Sequence, residues 1–157
     1  MKPGGNLPPG FVSKEGLMKT ILVGYDGSQE AQKALETASE LARCFGARLY
    51  ILTVVPELFL PDIDIGTEVG LKLEEEMEQA ARSQLEAVAA KVREKGLDFE
   101  TLLEKGRPAR VILEKAKEKG VDTIILGSRG TGLTKALLGS VSYKVAHHAD
   151  CSVVLVR

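Results

Sequence analysis

The residues best suited to chemistry lie near the C-terminus. They are Gly127-Ser128-Arg129-Gly130-Thr131-Gly132 and, after a short apolar stretch, Gly139-Ser140-Val141-Ser142. Glycine lets the backbone approach a ligand closely, and the N–H groups and dipole at a helix N-terminus favour an anion. An apolar β-like run, Val121 to Leu126, leads into this loop, and a short helical pattern follows Ser140. A strand that delivers glycines to a helix start suits a phosphate. The helices opening near Glu30 and Glu68 carry an acid in their first turns, and the one opening at Ser140 carries none. Its positive end is left for an external anion, with the hydroxyls of Ser140 and Ser142 beside it. A plain serine cap would explain Ser140 taken alone. The upstream glycines tip the reading toward phosphate.

Other signatures fail. No GxxxxGK[ST] loop occurs, and Lys135 lies between the glycine pairs without that context. No GxGxxG follows the first strand, which argues against a dinucleotide. His147 and His148 are adjacent, so their rings diverge on a helix and share no metal. No Ser–His–Asp or Cys–His order suggests a nucleophilic enzyme. Cys44 and Cys151 lie far apart without a CxxC pair, and read as reduced thiols buried in packing. That usage points to a cytoplasmic protein.

With 157 residues the chain suits one domain, and a net charge of -1 offers no electrostatic footprint for nucleic acid. No apolar run approaches the ~18 residues that a membrane helix needs. Residues 1–17 are rich in Gly and Pro and read as a flexible leader. Met18 directly precedes the first apolar run and is a plausible alternative start. The domain is expected over 18–157.

The elements that must position the glycine loop alternate in type. Buried strands are expected at Thr20–Tyr25, Leu49–Val55 (closed by Pro56), Phe99–Leu103 (the weakest), Thr123–Leu126 and Ser152–Val156. Asp26-Gly27-Ser28 is a turn that caps a helix with an apolar stripe through Ala31, Ala34, Leu35, Ala38, Leu41 and Ala42, ended by Gly46. Residues 57–66 read as a long loop. A long amphipathic helix spans about Glu68 to Lys95, with a stripe at Val69, Leu73, Met77, Ala80, Leu85, Val88 and Val92. Pro108 opens a third helix, which buries Ile112, Leu113 and Ala116 and ends at Gly120. The last helix runs from Ser140 to about His148. Apolar strands alternating with helices indicate an α/β fold with a mostly parallel sheet covered on both faces. Ligands bind such sheets beyond the strand C-termini, at the point where strand order reverses. If strands one and four are neighbours there, Asp26-Gly27-Ser28 and Gly127–Gly132 face each other across one crevice.

From Lys19 to Arg157 the chain resembles the universal stress protein family, in its ATP-binding branch. The resemblance rests on Asp26-Gly27-Ser28, Val54-Val55-Pro56, Gly106-Arg107-Pro108 and, most specifically, Gly127-x-x-Gly130…Gly139-Ser140. It implies a Rossmann-like open parallel five-stranded sheet of order 3-2-1-4-5, similar to the adenine nucleotide alpha hydrolases. By this similarity Asp26 would recognise the adenine amino group, and Gly24, Tyr25 and Val54 would flank the base. Leu126, Gly127 and Gly130 would hold the ribose and the start of the phosphate chain. Gly139, Ser140, Val141 and Ser142 would receive the β- and γ-phosphates of ATP, with Mg²⁺ or Mn²⁺ bound through the phosphates. Arg129 would either add a charged contact or face solvent. Between its second and third glycines the family pattern has one residue more than the eight here, Thr131 to Leu138. The resemblance also implies a homodimer formed through strand five.

Three functions follow in order. The first is an ATP-binding, homodimeric regulatory protein of stress responses. The second is a slow ATPase or phosphotransferase using the same site, for which no general base is evident. The third is a nucleotide-free interaction module, which the glycines oppose. Neither nucleic acid nor membrane is an expected partner.

Overall fold

The structure, a computed structural model, describes residues 18–57, 66–129 and 138–157. Among them the chain runs β1 (Thr20–Gly24), α1 (Gln29–Phe45), β2 (Arg48–Pro56), α2 (Glu68–Glu94), β3 (Phe99–Gly106), α3 (Pro108–Glu118), β4 (Thr123–Gly127), α4 (Ser140–His148) and β5 (Ser152–Val156). The five strands form one sheet of order β3-β2-β1-β4-β5, with every pairing parallel. The expected order is therefore the observed one.

Alternation along the strands splits the core into two layers. Ile21, Val23, Leu49, Ile51 and Ile125 face α1 and α2, where they meet Ala34, Ala38, Leu85, Val88 and Val92. Leu22, Tyr50, Leu52, Ile124 and Leu126 face α3 and α4, where they meet Ile112, Ala116 and Val145. Helices thus cover both faces, as unbroken apolar strands require. At the N-terminal end of the sheet, Asp122 clasps β1 to β4. Its Oδ2 accepts the N–H groups of Lys19 at 2.8 Å and Thr20 at 3.2 Å.

Several details depart from expectation. β3 continues past Leu103 to Gly106, in register with β2 as far as Pro56↔Gly106. Pairing with β2 overrides the weak local propensity of Glu104 and Lys105. The stripe of α2 is buried only at its C-terminal end, at Leu85, Val88 and Val92, while Val69 is 66% exposed. Twenty-seven helical residues span ~40 Å, longer than the strands beneath, so the opening turns overhang the sheet. Cys44 is exposed rather than buried. It follows Ala42 by two residues, which turns it roughly 200° away from the buried stripe of α1. Cys151 is half-buried and free. Burial, together with the nearby Asp122 and Asp150 carboxylates, pushes its thiol pKa up.

Candidate functional site

β1 and β4 lie side by side, and the chain leaves them in opposite directions, to β2 and to β5. The crevice this creates opens beyond Gly24 and Gly127, as the switch-point rule requires.

On the β1 side, Gly27 takes a left-handed conformation at φ 81°, which favours glycine, and the Gln84 amide of α2 packs where a Cβ would stand. This turn lets the Asp26 carboxylate accept the Ser28 N–H at 3.0 Å, and Ser28 Oγ in turn accepts the Ala31 N–H at 3.1 Å. Ser28 thus caps α1. Tyr25 is tied to β2 through both backbone groups. Its N–H donates to the Leu52 carbonyl at 2.8 Å, and its carbonyl accepts the Thr53 hydroxyl at 3.0 Å. Its phenol donates to Gln32 Oε1 at 3.3 Å. Burial, and then the Asp26 charge, raise the phenol pKa above its ordinary 10.0.

On the β4 side, Gly127 lies against the first turn of α1. A Cβ there would fall 2.7 Å from Glu30 Cβ and 2.8 Å from the Glu30 carbonyl carbon. The start of α4 is pinned to the exit of β4. Gly139 N–H donates to the Ser128 carbonyl at 2.8 Å, and the Ser142 hydroxyl donates to the Gly127 carbonyl at 2.6 Å. That bond commits the Ser142 proton, so of the two hydroxyls expected beside the phosphate only that of Ser140 has no acceptor among the described residues. Ser128 Oγ is buried without a hydrogen-bond partner among the described residues.

These parts surround one cavity of 360 Å³. Its apolar wall is made by Gly24, Tyr25, Leu52, Val54, Pro108, Ile112 and Leu126. Its polar lining comes from Asp26, Ser28, Arg129, Ser140 and Ser142, together with Gly127, Gly139 and Val141. Every candidate residue from the sequence lines this cavity except Gly130, which lies outside the described residues. Ala31, Leu52 and Ile112 line it without having been named as site residues, Ser28 belongs to the turn expected to face the crevice, and Pro108 was read only as a helix-start residue. The signals were present: Leu52 precedes Val54 by two and shares its strand face, and Ile112 follows Pro108 by four on one helix face. Glycine at position 24 lets the apolar wall close, since a Cβ there would fall 2.5 Å from Leu126 Cδ2.

Electrostatically, the cavity meets three helix N-termini. The first turns of α3 and α4 contain no acid, and neither has a side-chain cap. The helix at Ser140, set apart in the sequence from those opening near Glu30 and Glu68, therefore shares this lack of an acid with α3. α1 does carry an acid, Glu30, but Arg129 neutralises it through an ion pair of 2.9 Å. The guanidinium of Arg129 is only 15% exposed, so it is not a solvent-facing side chain. The helix starts thus offer backbone and hydroxyl donors with no unpaired acid in their first turns, beside an apolar slot, and the Asp26 carboxylate lines the same cavity.

The fold and crevice define an open, doubly wound α/β domain with a cavity at its switch point. More narrowly, the chain belongs to the universal stress protein family, whose model matches residues 18–157. It is 39% identical to the universal stress protein YxiE of Bacillus subtilis, over 90% of this chain and all of that one. Among solved structures, the universal stress protein UspA from Lactobacillus plantarum superposes with a TM-score of 0.79 at 28% identity, covering 89% of this chain and 98% of that one. A universal stress protein solved in complex with cAMP superposes with a TM-score of 0.59 at 25% identity, covering 90% and 98%.

Proposed function

We propose that this chain is an ATP-binding universal stress protein that holds its nucleotide as a regulatory ligand and acts as a homodimer in the cytoplasm. The observation that carries the reading is the cavity itself. An apolar slot adjoins a cluster of helix N-termini whose first turns carry no acid other than Glu30, which Arg129 pairs. The volume lies within the range of small-ligand sites. The relative crystallised with cAMP supports an adenine nucleotide as the ligand class.

In this reading adenine stacks between the Tyr25–Val54 side and the Pro108–Ile112 side, and Asp26 accepts its amino group at the mouth. Ribose lies over Leu126 and Gly127, with Gly130 next to it. The phosphates meet the backbone N–H groups of Ser140, Val141 and Ser142, which begin α4 and have no carbonyl partner within it. No group of three His, Cys, Asp or Glu side chains comes together among the described residues. A Mg²⁺ or Mn²⁺ ion would therefore take phosphate oxygens and water as its ligands. Asp26 sits at the base end, too remote to orient a water on the γ-phosphate, so holding is favoured over cleavage. The two free cysteines suit a reducing cytoplasm. No helix among the described residues is long and apolar enough to cross a membrane. The near-neutral net charge gives no reason to invoke nucleic acid.

Calorimetric titration with ATP, ADP and AMP, with and without Mg²⁺, tests this directly. Saturable heat with ATP is expected, with affinity rising with phosphate number. No heat at millimolar ATP would sink the reading and favour a nucleotide-free interaction module. Single-turnover hydrolysis in the same buffers separates a holding site from a slow ATPase.

A further inference from the structure

The Glu30–Arg129 pair joins residues 99 apart in sequence. Among the described ion pairs it is the one in which both side chains are under a fifth exposed, at 15% and 18%. The others lie at the surface, where such pairs contribute little. This pair sits at the cavity: Arg129 lines it and Glu30 stands behind it, outside the lining.

The backbone explains why Glu30 reaches Arg129. Gly127 leaves no room for a side chain between β4 and the first turn of α1, so the two elements touch at Glu30 and Ala31. That contact directs the Glu30 carboxylate to the residues just after β4, where Arg129 emerges. Arginine is long and rotamer-rich, and an unpartnered one at a loop start would be spread over many positions. Here one Nη2–H bond to Glu30 Oε1 fixes the guanidinium. Arginine has five donors in a rigid fork, so others remain for a second anion.

We infer that Glu30 is a positioning residue, holding Arg129 so that its guanidinium can donate to the phosphate chain of a bound nucleotide. The inference rests on the nucleotide reading above and adds a determinant to it. Phosphate selectivity depends on a carboxylate that touches no ligand. Its charge also keeps the empty crevice from carrying a fixed, unpaired cation beside three helix N-termini.

The test is calorimetry on the full chain with adenosine, AMP and ATP, using wild type, Arg129→Ala, Glu30→Ala, the double variant and Glu30→Gln. Thermal melts of each variant keep loss of folding separate from loss of binding. Arg129→Ala is expected to weaken ATP about tenfold, the size of one charge-assisted hydrogen bond, while leaving adenosine unchanged. Glu30→Ala should do the same, and the double variant should be no weaker than Arg129→Ala alone. Glu30→Gln keeps the shape and one oxygen acceptor, and should fall between wild type and Glu30→Ala. Three results would overturn the inference while leaving the nucleotide reading intact. They are tighter ATP binding by Glu30→Ala, unchanged ATP binding, or a parallel loss of ATP and adenosine. A wild-type protein that binds neither ligand fails at an earlier and distinguishable step, and overturns both.

Discussion

At the scale of single residues, the cavity depends on what each side chain is already committed to. Ser142 contributes only its backbone N–H, because its hydroxyl is held by the Gly127 carbonyl. Tyr25 carries a titration with a definite sign. Its folded pKa lies above the ordinary 10.0, because burial and then Asp26 disfavour the phenolate. A group whose folded pKa is raised contributes stability that is complete below its unfolded pKa and lost as pH rises through the folded one. Stability should therefore be insensitive to Tyr25 at neutral pH and decline above about pH 10. Cys151 shifts in the same direction from an ordinary 9.0, so its loss begins earlier. The Tyr25→Phe variant removes the first contribution and keeps the second. Urea midpoints at pH 7 and near pH 11 should fall further for wild type than for Tyr25→Phe. Equal declines would assign the alkaline loss elsewhere.

At the scale of elements, the site is a set of helix starts held against strand ends. Ser28 serves one of these starts, capping α1 through Ala31 N–H while lining the cavity. Ser28→Ala should cost ~1 kcal/mol of stability, read as a lower urea midpoint with an unchanged slope. A slope change would mean that the turn at Asp26-Gly27 had rearranged as well. The sequence pattern made these elements legible because their signals are local: turn residues at 26–28, an apolar stripe in α1, and a proline opening α3. All five strands and four helices of the described chain were recoverable this way. What resisted was whatever depends on neighbours. β3 extends to Gly106 only because β2 is there to pair with it. Val69 fits the helical stripe of α2 yet stays exposed, because periodicity does not report where the sheet ends. In the site, the glycines and Asp26 stood out by type, whereas Ile112 and Leu52 are ordinary core residues until the fold turns them toward the crevice. The Glu30–Arg129 pair spans 99 positions, and no local pattern announces it.

At the scale of the whole molecule, the two edges of the sheet differ. β3 carries Glu100, Glu104 and Lys105, which join ion pairs with Arg48, Lys115 and Glu74. Charged edges discourage pairing with another chain. β5 carries no charge from Ser152 to Val156 and, among the described residues, pairs only with β4. The direction of its free backbone groups follows from two bonds. Ser152 N–H donates to the Asp122 carbonyl, and the Val156 carbonyl accepts the Ser128 N–H. In a parallel ladder successive residues point to opposite sides, so positions 152, 154 and 156 serve β4, while Val153 and Leu155 direct N–H and C=O groups outward. This uncharged edge supports the proposed dimer, with two β5 strands meeting across a two-fold axis. Proline tests it selectively. Leu155→Pro removes an outward donor and leaves the β4 ladder intact, as edge strands tolerate. Val154→Pro cuts a bond to β4 and should destabilise the fold itself. In sedimentation, Leu155→Pro should shift the protein from dimer to monomer, with a smaller fall in melting temperature than Val154→Pro; some fall is expected because Leu155 packs against the α3–α4 layer. Val154→Asp should shift the mass in the same direction, also with some loss of stability, since Val154 packs against the α1–α2 layer. A folded Leu155→Pro protein that keeps the dimer mass would remove β5 from the interface.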